Sequence, residues 1–455
     1  MNFKRKLWWA QHRTDVYKYG TIISLVLIVT ISIIYFTYSK FTSTSEATAY
    51  ETTVEPFIKN DYFIASYIDG EWSNEIPGKE DGYAVDKIVC DNGATATWDN
   101  EEWGINIRNA TKKIKCSIYF KKLVKFTDQI TNLASTDTTN FATDDPDNNI
   151  RYIGRDPSNY VYFNCSDYSK QTEDTCEKWR IIGLFNNVQK SNNIQENLIK
   201  ITRNNLIGTF SFDSSEKEVN NGYGTNDWSN SALMKLLNPG YETEEVGGSL
   251  YYNLKAGNCY SGAEKNIKEC DFTASGLKND STRNAIESVQ WNLGASDNVI
   301  TSSLYKDERS TKVYSGHATT WTGKIGLPYS SDYGYATSGG SKETRESCLS
   351  SSLTSSWGSS FDTCSRNNYI TFEQFTMTPY LSNNYDEFYI LMGRGSNSSF
   401  LYHKLRINSE NLPNGLTIYG FKGILGVSPT LYLKSDIFVL AGDGSSSNPY
   451  QLKLN

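Results

Sequence analysis

Acid–base chemistry needs a placed base, and this 455-residue chain offers few. Its three histidines, His12, His317 and His403, are scattered. His317 is the best placed. It stands in Tyr314-Ser315-Gly316-His317-Ala318, a few residues after Asp307, Glu308 and Arg309. An imidazole titrates near neutral pH and could act as a general base. The simpler reading is a loop histidine, exposed or bonded to the backbone. Asp227 and Ser331-Asp332 read as capping and turn residues. With no Cys-x-x-Cys, a zinc site is not expected. Calcium takes oxygen ligands, and Asp144-Asp145-Pro146-Asp147-Asn148-Asn149 is rich in them. That run lacks the glycine and closing glutamate of an EF-hand loop and reads as solvated linker, so no cofactor is expected.

Glycan recognition is the sharper expectation. Sugar rings stack on aromatic faces, and their hydroxyls need carboxylate and amide partners. Trp321, Tyr329, Asp332, Tyr333, Tyr335 and Trp357 fall in one such stretch of a chain with 31 Tyr, 20 Phe and 10 Trp. The competing reading is that these rings fill an irregular core. The formal charge is −7, and residues 1–18 hold five basic residues against Asp15 alone, so the remainder is more acidic still. An acidic surface repels nucleic acid and anionic lipid, and no nucleic-acid partner is expected.

The residues that must position these groups begin with 19–39, which carry no charge between Lys18 and Lys40. As a helix, that run would span about 30 Å, the thickness of a bilayer core. Lys4, Arg5, Lys6, Arg13 and Lys18 would keep the first residues inside. The expectation is a single-pass type II anchor in the cell membrane with the C-terminal part extracellular. A cleaved signal peptide ending near Ala47-Thr48-Ala49 is the alternative. All eight cysteines lie beyond residue 40, and an even number there suggests disulfides. Of 105 connectivities, the simplest joins neighbours: Cys90–Cys116, Cys165–Cys176, Cys259–Cys270 and Cys348–Cys364.

The expected fold class is α+β, in six parts: a cytoplasmic tail (1–18), a transmembrane helix (19–39), a Thr/Ser-rich stalk (40–57), a small β-sandwich (58–125), a polar linker (126–150) and a large head (151–455). In the sandwich, alternating runs such as Ile114-Lys115-Cys116-Ser117-Ile118-Tyr119-Phe120 read as strands. Trp98 and Trp103 between Cys90 and Cys116 suggest a core packed on a disulfide, as in immunoglobulin-like domains. In the head, Leu198-Ile199-Lys200-Ile201-Thr202 and Trp179–Phe185 read as strands, and 229–237 and 281–291 as its two helices.

Two resemblances add to this reading. Ile76-Pro77, Gly82-Tyr83, Cys90-Asp91-Asn92-Gly93, Ala94–Asn100 and Cys116–Phe120 resemble a module of about seventy residues in uncharacterised surface proteins of low-GC Gram-positive bacteria. It implies a surface location and no known activity. Trp179–Gly183, Asn226–Ser229, Trp321–Leu327, Ser331–Thr337 and the closing Pro429–Ser435, Gly442–Ser445 and Asn448–Tyr450 resemble an uncharacterised bacterial surface domain. More distantly they are similar to the formylglycine-generating-enzyme type of C-type-lectin-like fold. That implies a head with short strands, few helices and long loops. The chain lacks the Glu-Pro-Asn or Gln-Pro-Asp calcium–sugar motif and any match to the enzyme's copper-binding cysteine pair. The expected function is therefore binding of a glycan or protein ligand by the head, in adhesion or recognition. The alternatives are an exported enzyme acting on cell-wall or host polymers, and a structural envelope protein.

Overall fold

A computed structural model describes residues 18–30, 62–100, 102–109, 113–213, 225–261, 267–340, 342–353, 364–370, 374–381, 386–392, 401–406 and 424–454, together with Thr14. Residues 18–30 are helical, a length of about 20 Å. Among the described residues, no helix is long and apolar enough to cross a membrane. The expected transmembrane helix, and the type II cell-membrane address built on it, are corrected accordingly. The second half of that expected span and the stalk lie outside the described residues.

The fold class is corrected too. The described chain is mostly β, with helices of six to nine residues after residue 125. It divides into two compact units, residues 1–79 with 85–121, and 80–84 with 122–455.

In the first unit, a four-stranded sheet runs in the order Glu71–Ser73, Tyr62–Ile68, Ile114–Lys122, Tyr83–Cys90. Its first and last long strands pair in parallel, Tyr62 opposite Ile114 and Tyr67 opposite Tyr119. A separate hairpin joins Thr95–Asp99 to Gly104–Arg108. Among the described residues this unit is one mixed sheet plus a hairpin. The Trp98 ring meets Trp103 at 5.2 Å and Phe120 at 5.5 Å, both edge to face. The Trp103 indole N–H donates to the Pro77 carbonyl at 2.7 Å. The Cys90–Cys116 disulfide packs in a small cluster with Ala94, Ile114, Ala96, Ile105 and Ile107.

In the second unit, a seven-stranded antiparallel sheet forms the centre. Its order is Ile325–Gly326, Thr430–Tyr432, Gln195–Arg203, Glu177–Gln189, Ile150–Tyr152, Phe141–Ala142, and Tyr160–Phe163 also pairs with Glu177–Gln189. The middle strands are apolar over long runs, because both faces are covered. A five-stranded sheet (Thr209–Ser211, Ile424–Gly426, Gln374–Leu381, Asp386–Met392, Leu401–Arg406) and a three-stranded one (Gln451–Lys453, Phe438–Ala441, Val124–Lys125) complete the main layers. Residues 126–150, expected as a linker, belong to this unit: the helix Phe126–Ala134 buries Phe126 and Ile130 in its core. The expected helix over 281–291 is a helix only to Ala285; Val289–Asn292 is a strand paired with Thr320–Gly323. Disulfides join Cys165–Cys176, Cys259–Cys270 and Cys348–Cys364, so all four neighbour pairings are present.

Candidate functional site

The central sheet places four residues in one row across four strands: Arg151, Gly183, Lys200 and Tyr432. Gly183 is the position that lets the row close. A Cβ there would stand 2.2 Å from the Ile150 carbonyl oxygen, so the strand carrying Arg151 could not come so near. With no side chain between them, Arg151 and Lys200 share one carboxylate. Asp332 accepts from Arg151 Nη1 at 2.8 Å through Oδ1 and from Lys200 Nζ at 2.5 Å through Oδ2. Arg151 Nε donates to Asp145 at 2.7 Å. All four groups are almost completely buried.

Asp332 is delivered by the short helix Ser330–Tyr335, where its carboxylate also accepts from the Tyr329 backbone N–H at 2.9 Å. Gly334 lets this helix touch Thr301 of the helix Thr301–Glu308, since a Cβ would meet the Thr301 hydroxyl at 2.3 Å. Glu308 at the end of that helix accepts from the Ser331 N–H at 3.0 Å, the Ser331 hydroxyl, and the Thr378 hydroxyl at 2.7 Å.

The electrostatics follow from burial against pairing. Burial opposes ionisation of Asp332, but Lys200 and Arg151 outweigh it and hold the carboxyl at about 2. Burial pushes Lys200 down to about 8 against the pull of Asp332. The Lys200 ammonium also lies 4.3 Å from the Tyr329 ring centre and 5.2–5.5 Å from those of Phe185, Trp291 and Tyr432. Four rings around it favour the cation, and with Asp332 as its partner Lys200 is still charged at neutral pH. Arg151 is raised, because Asp332 and Asp145 overcome its burial. Glu308 is raised by burial.

Those same four rings wall a cleft of about 220 Å³ above Lys200, joined by Tyr305. Trp291 lies 5.2 Å from Tyr432 and 6.2 Å from Tyr329 between ring centres. Gly326 leaves room for the indole, as a Cβ there would meet it at 2.9 Å. Amide side chains rim the cleft: Asn149, Asn186, Asn187, Gln189, Gln290 and Asn292. Asn149 and Asn186 are spent on internal bonds, to Asp145, Tyr305 and the 147–148 carbonyls. The side-chain amides of Asn187 and Asn292 make no hydrogen bond among the described residues, and both line the opening. Asp147 and Arg309 supply one charge of each sign. Asp147 accepts from the Tyr305 hydroxyl at 2.6 Å, and Arg309 stacks on the Tyr305 ring at 3.3 Å.

The residues expected from sequence are distributed unevenly around this site. Tyr329 forms part of the wall, and Asp332 lies beneath the floor, bound to Lys200. Tyr333 and Tyr335 are buried, Tyr335 under the Arg151 guanidinium at 5.0 Å, so their faces are taken up by core contacts. Trp321 is half-buried on a hairpin, edge to face with Trp228 at 6.0 Å. Trp357 lies outside the described residues. His317 is elsewhere: its Nε2 lies 3.4 Å from the Thr225 hydroxyl, beside a pocket of only about 10 Å³, while Asp307 bonds Ser296. Among the described residues, no group of three His, Cys, Asp or Glu could hold a metal ion. The Asp145 oxygens accept from Asn149 and Arg151 rather than facing outward. Lys200, Arg309, Trp291, Asn292 and Tyr432 were not singled out as site residues. The one usable signal was a lysine centred in an apolar strand, Leu198-Ile199-Lys200-Ile201. No family model, curated protein or solved structure matches the chain.

Proposed function

We propose that the second unit is a binding domain whose cleft takes a single saccharide ring or the end of a glycan chain. The cleft is small beside the 300–1,000 Å³ range of larger ligand sites and holds the volume of about seven waters. Its chemistry is that of sugar recognition: ring faces for C–H surfaces, and amides for hydroxyls. The observation that carries the reading is the pair of uncommitted amides, Asn187 and Asn292, placed at the mouth of an aromatic-walled cleft. Catalysis is the weaker reading. Lys200 is sealed below the rings and committed to Asp332, and Glu308 is committed to three donors. The test is a glycan-array screen of the whole chain, followed by calorimetry on any hit. Asn187→Ala and Asn292→Ala should each weaken binding about tenfold, the worth of one good hydrogen bond; thermal unfolding should be unchanged in Asn292→Ala and slightly lowered in Asn187→Ala, because Asn187 holds a φ of 52° that strains alanine. Absence of any saccharide binding, or binding indifferent to both substitutions, overturns the reading.

A further inference from the structure

The sheet of the first unit has a core face and an open face, and the open face is unusual. Parallel register puts Phe63 beside Lys115 and Tyr67 beside Tyr119, and antiparallel register puts Trp72 beside Tyr67. Lys87 joins from the next strand, with its ammonium 4.5 Å from the Tyr119 ring centre. The Lys115 ammonium lies 5.6 Å from the Phe63 ring centre. Tyr67, Trp72 and Tyr119 touch one another, with ring centres 5.1, 5.4 and 5.6 Å apart. Yet Trp72 is 55% and Phe63 is 51% exposed.

Two features make this more than a scatter of surface rings. Large aromatics left in water and grouped across three strands mark a contact surface. The charge is also one-signed. Side chains alternate along a strand, so Glu71 and Asp86 point to the other face from Trp72 and Lys87. The described strand positions on this face therefore hold lysines and no carboxylate. In a chain of net charge −7, that is a local reversal of sign. The cation–π contacts fix where the two ammonium groups stand.

We infer that this face binds an acidic polysaccharide, independently of the cleft in the second unit. Trp72 and its neighbouring rings take the apolar faces of the sugars, and Lys87 and Lys115 take their carboxylates. The patch extends about 14 Å across four strands and about 13 Å from Lys115 to Tyr119, an area suited to an extended chain rather than a single ring. A nucleic acid fits less well. Its single strand carries a charge every 3.4 Å or so, and the three lysines at strand positions of this face, Lys87, Lys115 and Lys121, do not offset the repulsion between such a polymer and an acidic protein. A glycan with at most one carboxylate per sugar meets less repulsion and offers more ring surface.

The experiment is calorimetric titration of the whole chain with hexagalacturonate, with the same oligomer after reduction of its carboxyl groups, and with oligothymidylate, at low and high salt. Hexagalacturonate should bind, more weakly at high salt, while the reduced oligomer and oligothymidylate bind far less. Trp72→Ala and Lys87→Glu should each weaken binding about tenfold. Both side chains are exposed, and circular dichroism should show both variants folded. Asn292→Ala in the cleft should change nothing. Equal binding of the reduced oligomer, preference for oligothymidylate, loss of binding in Asn292→Ala, or no binding of hexagalacturonate would each overturn the inference.

Discussion

Replacing Asp332 by Asn removes the one carboxylate that Lys200 meets and leaves an ammonium under four aromatic rings. The amide keeps the shape of the carboxyl, so packing is preserved and the change is electrostatic. Two routes give its size. Holding the carboxyl at about 2 rather than near 3.8 corresponds to about 2 kcal/mol in favour of the ionised form. Removing one partner of a buried pair costs more, about 3–5 kcal/mol, because the remaining charge stays desolvated. We expect about 3–5 kcal/mol for Asp332→Asn. Lys200→Met should cost less, since Asp332 keeps its bond to Arg151 and methionine fills similar space. The decisive quantity is the double variant. Once Lys200 is gone, losing Asp332 strands one cation fewer, so the two effects should fall short of additivity by about 2 kcal/mol or more. Denaturant unfolding followed by the fluorescence of the buried Trp179, Trp228 and Trp291 reads all four states. Additivity within about 0.5 kcal/mol would refute the claim that this pair acts as a unit.

Three further outcomes are expected. Asp332 has a folded pKa below its unfolded one, so its contribution is present above about pH 4 and is lost as pH falls toward 2. An acid unfolding profile of the parent should therefore show a limb over that range that Asp332→Asn lacks. Lys200 is lowered to about 8, so the unfolded chain binds the extra proton between about pH 8 and 10.5. Stability should rise through that window in the parent and stay flatter in Lys200→Met when denaturation midpoints are compared. Gly183→Ala should cost more than about 3 kcal/mol, as its methyl group meets the Ile150 carbonyl; a melting temperature within a degree of the parent would show that the strand yields easily.

What the sequence disclosed was local. The four disulfides pair neighbours as expected; Trp98 and Trp103 do meet, but together with Phe120, which was not expected there. The strand over Ile114–Phe120 was visible from alternation, but nothing in that run says that it lies beside Tyr62–Ile68 in parallel. The site was half legible. Tyr329 and Asp332 came from the right stretch, yet for the wrong role in the case of Asp332, which holds the floor rather than facing a ligand. Tyr333 and Tyr335 look identical to Tyr329 in composition. Only the helix Ser330–Tyr335 decides that they point into the core. Residues 126–150 read as a linker because the polar runs Thr136–Asn140 and Asp144–Asn149 dominate them, while the helix meets the core through only Phe126, Ile130, Leu133 and Ala134.

The row Arg151, Gly183, Lys200 and Tyr432 also bears on how the protein comes to be folded. Its first and last members are 281 residues apart, and the strand Thr430–Tyr432 sits between Gln195–Arg203 and Ile325–Gly326. Closing so long a loop carries a large entropic cost before any contact compensates it, which slows the search for the native pairing. During synthesis, the strand Gln195–Arg203 emerges with an unpaired edge and with Lys200 lacking its carboxylate and three of its four rings, Trp291, Tyr329 and Tyr432. The second unit therefore has no finished core until residue 432 is available. Until then it depends on whatever protects exposed strand edges in the cell, and a nascent chain halted before that point should be sensitive to protease throughout this unit.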